Sequence, residues 1–148
     1  MMNDQVAAAY AALLLRTSLG LMFVAHALLK IVVFTPAGTA GFFASLGVPG
    51  WLAYPVMAAE LVGGIMLIAG IQTRSVALAL LPVLIGSIVL DHGANGWLFS
   101  NPNGGWEYPA FLIMAFFAQA LLGDGVYSTA PGYGGGTGRR HHADRRDS

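Results

Sequence analysis

Residues 51–71, WLAYPVMAAELVGGIMLIAGI, form an apolar run with one ionisable group, Glu60, near its middle. A helix needs about 20 apolar residues to cross the hydrocarbon core of a bilayer, and this run is that long. A carboxylate at mid-depth costs on the order of 3 kcal/mol on insertion scales, and more when nothing answers it. Another helix must therefore supply a partner for Glu60.

The rest of the chain has the same character. Of its 148 residues, 56% are hydrophobic and 9% are charged, whereas a soluble domain carries about 25% charged residues. Four long apolar runs predict an all-α fold, a four-helix transmembrane bundle. Its spans are expected at about 7–34, 52–71, 74–90 and 106–122, within a membrane domain covering 1–128. The lipid bilayer is the first partner. Zero net charge offers no basic field for nucleic acid. Without cysteine there is no disulfide, no thiolate nucleophile and no thiolate-bound metal. Ala25-His26-Ala27 imitates a signal-peptidase site, but no basic region precedes it, so the first span is expected to be retained.

Span one carries Arg16, His26 and Lys30. At 100° per residue, Arg16, Gly20, Phe23 and Lys30 share one face and His26 lies on its flank, so this stripe should face protein. The bland alternative is that Arg16 and Lys30 snorkel to opposite headgroup layers. Residues 35–50 hold two prolines and four glycines in turn positions around Phe42, Phe43 and Leu46, which suits a short interfacial helix between spans one and two. In span two, Ala59, Gly63 and Gly64 leave room for a neighbouring helix beside Glu60. Pro82 should bend span three. Residues 94–105 form a turn-rich loop, and residues 129–148, glycine-rich and then charged, read as a disordered tail.

Arg74 and the four tail arginines, against two long loops with no lysine or arginine, place both termini in the cytoplasm of a cell (inner) membrane protein. Trp51, Tyr54, Trp97, Trp106 and Tyr108 then form an outer aromatic belt. At 1.5 Å per residue, Glu60 and His26 both lie about 12 Å below the outer surface, with Lys30 about 6 Å below it. His26 or Lys30 is the natural partner for Glu60.

A partnered acid in that position has two readings. The pair can simply fix helix register, or it can serve a polar pocket opening outward. In the second reading Glu60 and His26 are the candidate catalytic groups. The candidate substrate-binding residues are Lys30, His92, Trp106, Glu107, Tyr108, Phe23 and Met57. A quinone-like head group could accept a hydrogen bond from His26 or Lys30 while Glu60 exchanges protons with it. A mixed His26, His92, Glu60 and Glu107 metal site lacks any local ligand spacing, and no metal is expected.

Several segments together resemble one family. They are Arg16-Thr-Ser-Leu-Gly20 with Phe23, His26-Ala-Leu-Leu-Lys30, Leu46-Gly-Val-Pro49 and Glu60-Leu-Val-Gly-Gly64, followed by Gly70-Ile-Gln-Thr-Arg74, His92 and Gly104-Gly-Trp-Glu107-Tyr. In this order, across residues 16–128, they resemble the DoxX family of small four-span membrane proteins. The family often has glycine after the first-span histidine, and Ala27 stands there in this chain. The resemblance implies a four-helix membrane bundle linked to quinone-dependent oxidoreductases, with a soluble or membrane redox partner subunit supplying electrons. It supplies no catalytic residues, and homo-oligomerisation stays open. The rival reading is a non-catalytic membrane scaffold or small-molecule carrier.

Overall fold

The structure, a computed structural model, describes residues 3–129. The tail expected over 129–148 falls outside the described residues apart from Thr129. Helix α1 spans Asp4–Leu28 and runs on through a π-helical turn, Leu29–Val33. Helix α2, Pro36–Ser45, follows between the first two long helices, where a short helix is expected. Helix α3 spans Ala53–Ala69 after a 3₁₀ turn at Gly50–Leu52. Helix α4, Thr73–Ser87, continues through a second π-helical turn, Ile88–His92. Helix α5 spans Glu107–Leu122.

Three of these rods are long and apolar enough to cross a membrane: Asp4–Val33 with 30 residues, Gly50–Ala69 with 20 and Thr73–Asn95 with 23. The fourth, α5, is apolar but has 16 residues. It rises about 24 Å at 1.5 Å per residue, short of a hydrocarbon core of about 30 Å.

The four long helices form a ring in which α1 packs on α3 and α5, and α4 packs on the same two. Leu19, Phe23, Leu67, Leu80, Leu112 and Phe116 fill its centre. The Phe23 and Phe116 rings meet there with centroids 4.9 Å apart. The tightest seam is α1 against α3. A Cβ on Gly64 would stand 2.8 Å from the Gly20 carbonyl oxygen, so the two backbones touch where a side chain would hold them apart. The polar stripe on α1 turns inward as its spacing predicts: Arg16, Gly20 and Phe23 are all buried.

One end of the ring is tied off by main-chain accounting. A helix leaves its last four carbonyls without intrahelical partners, and all four of α3 are met. Ile71 N–H donates to the Met66 carbonyl and Gly70 N–H to that of Leu67, closing a Schellman turn on the left-handed Gly70. Arg16 donates to the carbonyls of Leu67 and Ile68 at 2.9 and 2.6 Å. Thr129 donates to that of Ala69 through its N–H and its hydroxyl. Gly70 is required twice over, because a Cβ there would also sit 2.7 Å from the Arg16 guanidinium. The chain after α5 folds back over this end: Val126 and Tyr127 carbonyls accept from Arg16 at 3.0 Å, and the Asp124 carboxylate accepts the Thr73 N–H at the start of α4.

Candidate functional site

The opposite end is built differently. The Lys30 ammonium, carried on the π-helical turn that ends the first helix, makes an ion pair and hydrogen bond with Glu60 Oε1. Glu60 is nearly fully buried in α3, and its side chain is 5% exposed against 22% for Lys30. The second carboxylate oxygen, Oε2, is buried without a hydrogen-bond partner. Of the two candidate partners for Glu60, Lys30 is the one that meets it. His26 turns to its own helix, with Nδ1 2.8 Å from the Met22 carbonyl oxygen.

Lys30 is itself held. The Lys30 carbonyl lies at the helix end and accepts the Thr39 hydroxyl at 3.1 Å, and Thr39 is buried in α2. Helix α2 is anchored by Thr35, whose hydroxyl accepts the Gly38 N–H as an N-cap. Thr35 adopts φ 63° and ψ 153°, a region nearly reserved for glycine. Strained backbone thus sits one turn from the ion pair.

The pair borders a cavity of about 830 Å³, with a wall that is mostly apolar. Phe23, Phe43, Leu84 and Tyr108 line it, together with His26, Asp91 and His92. A second π-helical turn places Asp91 and His92 on the far wall. His92 Nδ1 lies 3.0 Å from the Gly104 carbonyl oxygen, and Nε2 lies 3.7 Å from Asp91. Single π turns recur at functional sites, and this cavity has one on each side.

Among the residues nominated from the sequence, the cavity gathers Glu60, Lys30, His26, His92, Phe23 and Tyr108. It does not gather Met57, Trp106 or Glu107. Met57 is buried in α3 and does not line the cavity. Glu107 Oε1 accepts the Phe99 N–H at 2.7 Å, so the carboxylate braces the loop before α5 instead of entering the pocket. Trp106 stacks edge-to-face on Trp97 with centroids 4.5 Å apart. Depth along a helix can be counted from sequence, but the contacts that hold Glu107 and Trp106 against the preceding loop cannot.

Thr39 and the carbonyl partners of Arg16 escape a sequence reading. Thr39 lies in a stretch read for its prolines, glycines, phenylalanines and Leu46, and its four-residue spacing from Thr35 is the weak signal. Arg16 does not snorkel; it is 1% exposed and clamps four carbonyls. Among the described residues no three His, Asp or Glu side chains converge as metal ligands.

A DoxX family model matches residues 11–93, more than half of the chain and the part that holds Lys30, Glu60 and both π turns. The chain belongs to the DoxX family. A relative from Bacillus subtilis (strain 168), named "Putative oxidoreductase CatD", is 40% identical over 119 residues, covering 80% of this chain and 84% of that protein. No solved structure matches. The DoxX match stops at residue 93, so Tyr108 and the wall contributed by α5 lie beyond it.

Proposed function

We propose that this DoxX-family membrane protein is a subunit of a quinone-linked oxidoreductase system, handling quinone or protons in the Lys30–Glu60 cavity while a partner supplies electrons. The observation that carries the reading is a buried, incompletely satisfied carboxylate on the wall of a mostly apolar cavity. The relative's name adds an oxidoreductase association. A quinone bound there supplies two-electron, two-proton chemistry. The residues do the rest: Phe23, Phe43 and Tyr108 offer ring faces, Lys30 offers N–H donors, and Glu60 holds or releases a proton at Oε2.

The same reading has the chain cross an inner membrane four times, with α5 as a short fourth span. Arg74 and the tail arginines put both termini on the cytoplasmic side, so that the cavity opens to the outer leaflet. A reporter fused after Ser148 checks this, and extracytoplasmic signal there inverts the arrangement.

The functional test is quinone content. Protein purified from native membranes should retain extractable quinone above the level in protein-free micelles from the same lipid. Glu60→Gln should abolish the redox activity of the complex while leaving the protein folded. Equal quinone in both extracts would remove the reading. Partner-independent solute flux into liposomes would instead establish a carrier.

A further inference from the structure

The hydrogen-bonding ledger of the cavity is lopsided. The side chains on its wall that carry an N–H or O–H have, with one exception, already committed it. Thr39 donates to the carbonyls of Lys30 and Thr35, and Ser87 donates to that of Leu84 at 2.9 Å. The Tyr108 hydroxyl donates to the Met22 sulfur. His26 and His92 each place Nδ1 against a main-chain carbonyl, so Nδ1 is the donor, and His92 Nε2 faces the Asp91 carboxylate at 3.7 Å. Glu60 Oε2 and the Asp91 carboxylate are acceptors. The exception is Lys30, which uses one of its three N–H groups on Glu60.

A quinone brings two carbonyl oxygens and no donor. It could take an N–H from Lys30, but it would leave Glu60 Oε2 unsatisfied, and an unmet buried acceptor is costly. A quinol hydroxyl both donates and accepts. One such oxygen can accept from Lys30 and donate to Glu60, answering both members of the ion pair. The terminal torsion of a glutamate is broad and soft, so a small turn of the carboxylate presents Oε2 to a donor arriving from the cavity.

We infer that the cavity selects the hydroxyl-bearing, reduced form of its ring ligand over the carbonyl form, with Glu60 accepting from the same hydroxyl that Lys30 donates to. The inference rests on the quinone reading given above and adds a preference between its two redox states. It concerns binding alone, with no electron transferred.

The test uses the full chain in lipid nanodiscs with a decyl-substituted benzoquinone and its two-electron-reduced quinol, the latter kept anaerobic. Calorimetry should give a quinol affinity at least tenfold above that of the quinone. The bound couple should then titrate about 30 mV higher than in empty nanodiscs for each tenfold of preference. Glu60→Gln, which places an N–H donor beside Lys30, should shrink or invert the ratio. If neither form binds, the quinone reading itself falls. If both bind equally, or the quinone binds tighter, that reading stands and the selectivity is overturned. A quinol preference unchanged in Glu60→Gln overturns the assignment to Glu60. Should that variant fail to fold, the wild-type affinity ratio still decides.

Discussion

Arg16 and Lys30 belong to the same first helix, and their surroundings differ in kind. Arg16 spreads a planar fork over four main-chain carbonyls drawn from the end of α3 and from the segment after α5. Its acceptors are backbone atoms that have no second conformation to offer, and the left-handed Gly70 is shaped around it. Lys30 meets a single side chain, Glu60, whose other oxygen has no partner, beside a cavity large enough for a ring. Guanidinium geometry suits the first task, because five donors in a fixed plane can bridge two strands of carbonyls. A compact ammonium on a flexible stem suits the second, because it can turn from one acceptor to another. The first cation uses four of its five N–H groups in closing an end of the bundle, and its buried Nε–H has no acceptor. The second uses one of three and stands beside the cavity, and for that reason the functional assignment rests there.

If that division holds, the largest loss of stability comes from the Arg16 end. Arg16→Met strips the carbonyls of Ile68, Val126 and Tyr127 of the donor they share. Breaking a buried charged network costs about 3–5 kcal/mol, and thermal unfolding in detergent should show a loss of that size. Arg16→Lys keeps the charge without the fork and should recover less than half of it. The comparison breaks if Arg16→Met proves milder than Lys30→Met.

Lys30→Met strands a buried carboxylate and should cost about 2–3 kcal/mol, less than the full figure for a buried pair because the lysine side chain is partly exposed. Replacing both partners, Lys30→Met with Glu60→Gln, removes the charges together and should return stability to within about 1 kcal/mol of wild type. Ligand binding should stay lost in the double variant. A double-mutant cycle on unfolding, run beside quinone binding, separates the two effects. If binding returns with stability, the pair is a register device and no more.

Much of this contrast can be read in the amino-acid sequence, and its limits are physical. The inward stripe of Arg16, Gly20 and Phe23 follows from 100° periodicity, and counting rise per residue sets His26 level with Glu60 and Lys30 one turn above it. Periodicity carries no information on what a long side chain chooses once inside. His26 prefers the carbonyl one turn back on its own helix, and Arg16 finds carbonyls released by turns 51 and 110 residues further along, as the separations of its bonds show. The π turns at Leu29–Val33 and Ile88–His92 shift side-chain phase where regular counting assumes none. Lys30 itself lies in the first of them.

The seam between the two ends offers a smaller test. Gly64 and Gly63 are neighbours in sequence with opposite surroundings. A Cβ on Gly64 meets backbone, the Gly20 oxygen at 2.8 Å and the Val24 nitrogen at 3.0 Å, and the helices must part to admit it. A Cβ on Gly63 meets the methyl ends of Leu80 at 2.9 Å, which can swing aside. Gly64→Ala should cost about 1–3 kcal/mol, as overpacking does, and Gly63→Ala about half as much or less. Because Gly64 lies one turn from Glu60, Gly64→Ala should also weaken ligand binding, whereas Gly63→Ala should leave it intact. Equal thermal shifts for the two would mean that the α1–α3 seam is looser than the glycine contact implies.

The smallest expected effect runs in the opposite direction. Thr35 at the cavity end and Gln72 at the Arg16 end both carry positive φ without being glycine. Gln72, at φ 43° and ψ 45°, occupies the ordinary left-handed well, which non-glycine residues visit at modest cost. Thr35 is β-branched and has ψ 153°, where residues other than glycine are scarcely found. Thr35→Gly should therefore stabilise the fold by about 1 kcal/mol, since relief of strain outweighs the few tenths lost when a threonine cap becomes glycine. Gln72→Gly should change stability by less than about half of that, because the freedom it adds to the unfolded chain offsets the relief. Thr35 anchors the helix whose Thr39 grips the Lys30 carbonyl, so the stabilised variant should also bind ligand more weakly. Strain that opposes stability yet supports binding belongs to a site, and a Thr35→Gly variant with both properties unchanged would show that the cavity end is as inert as the other.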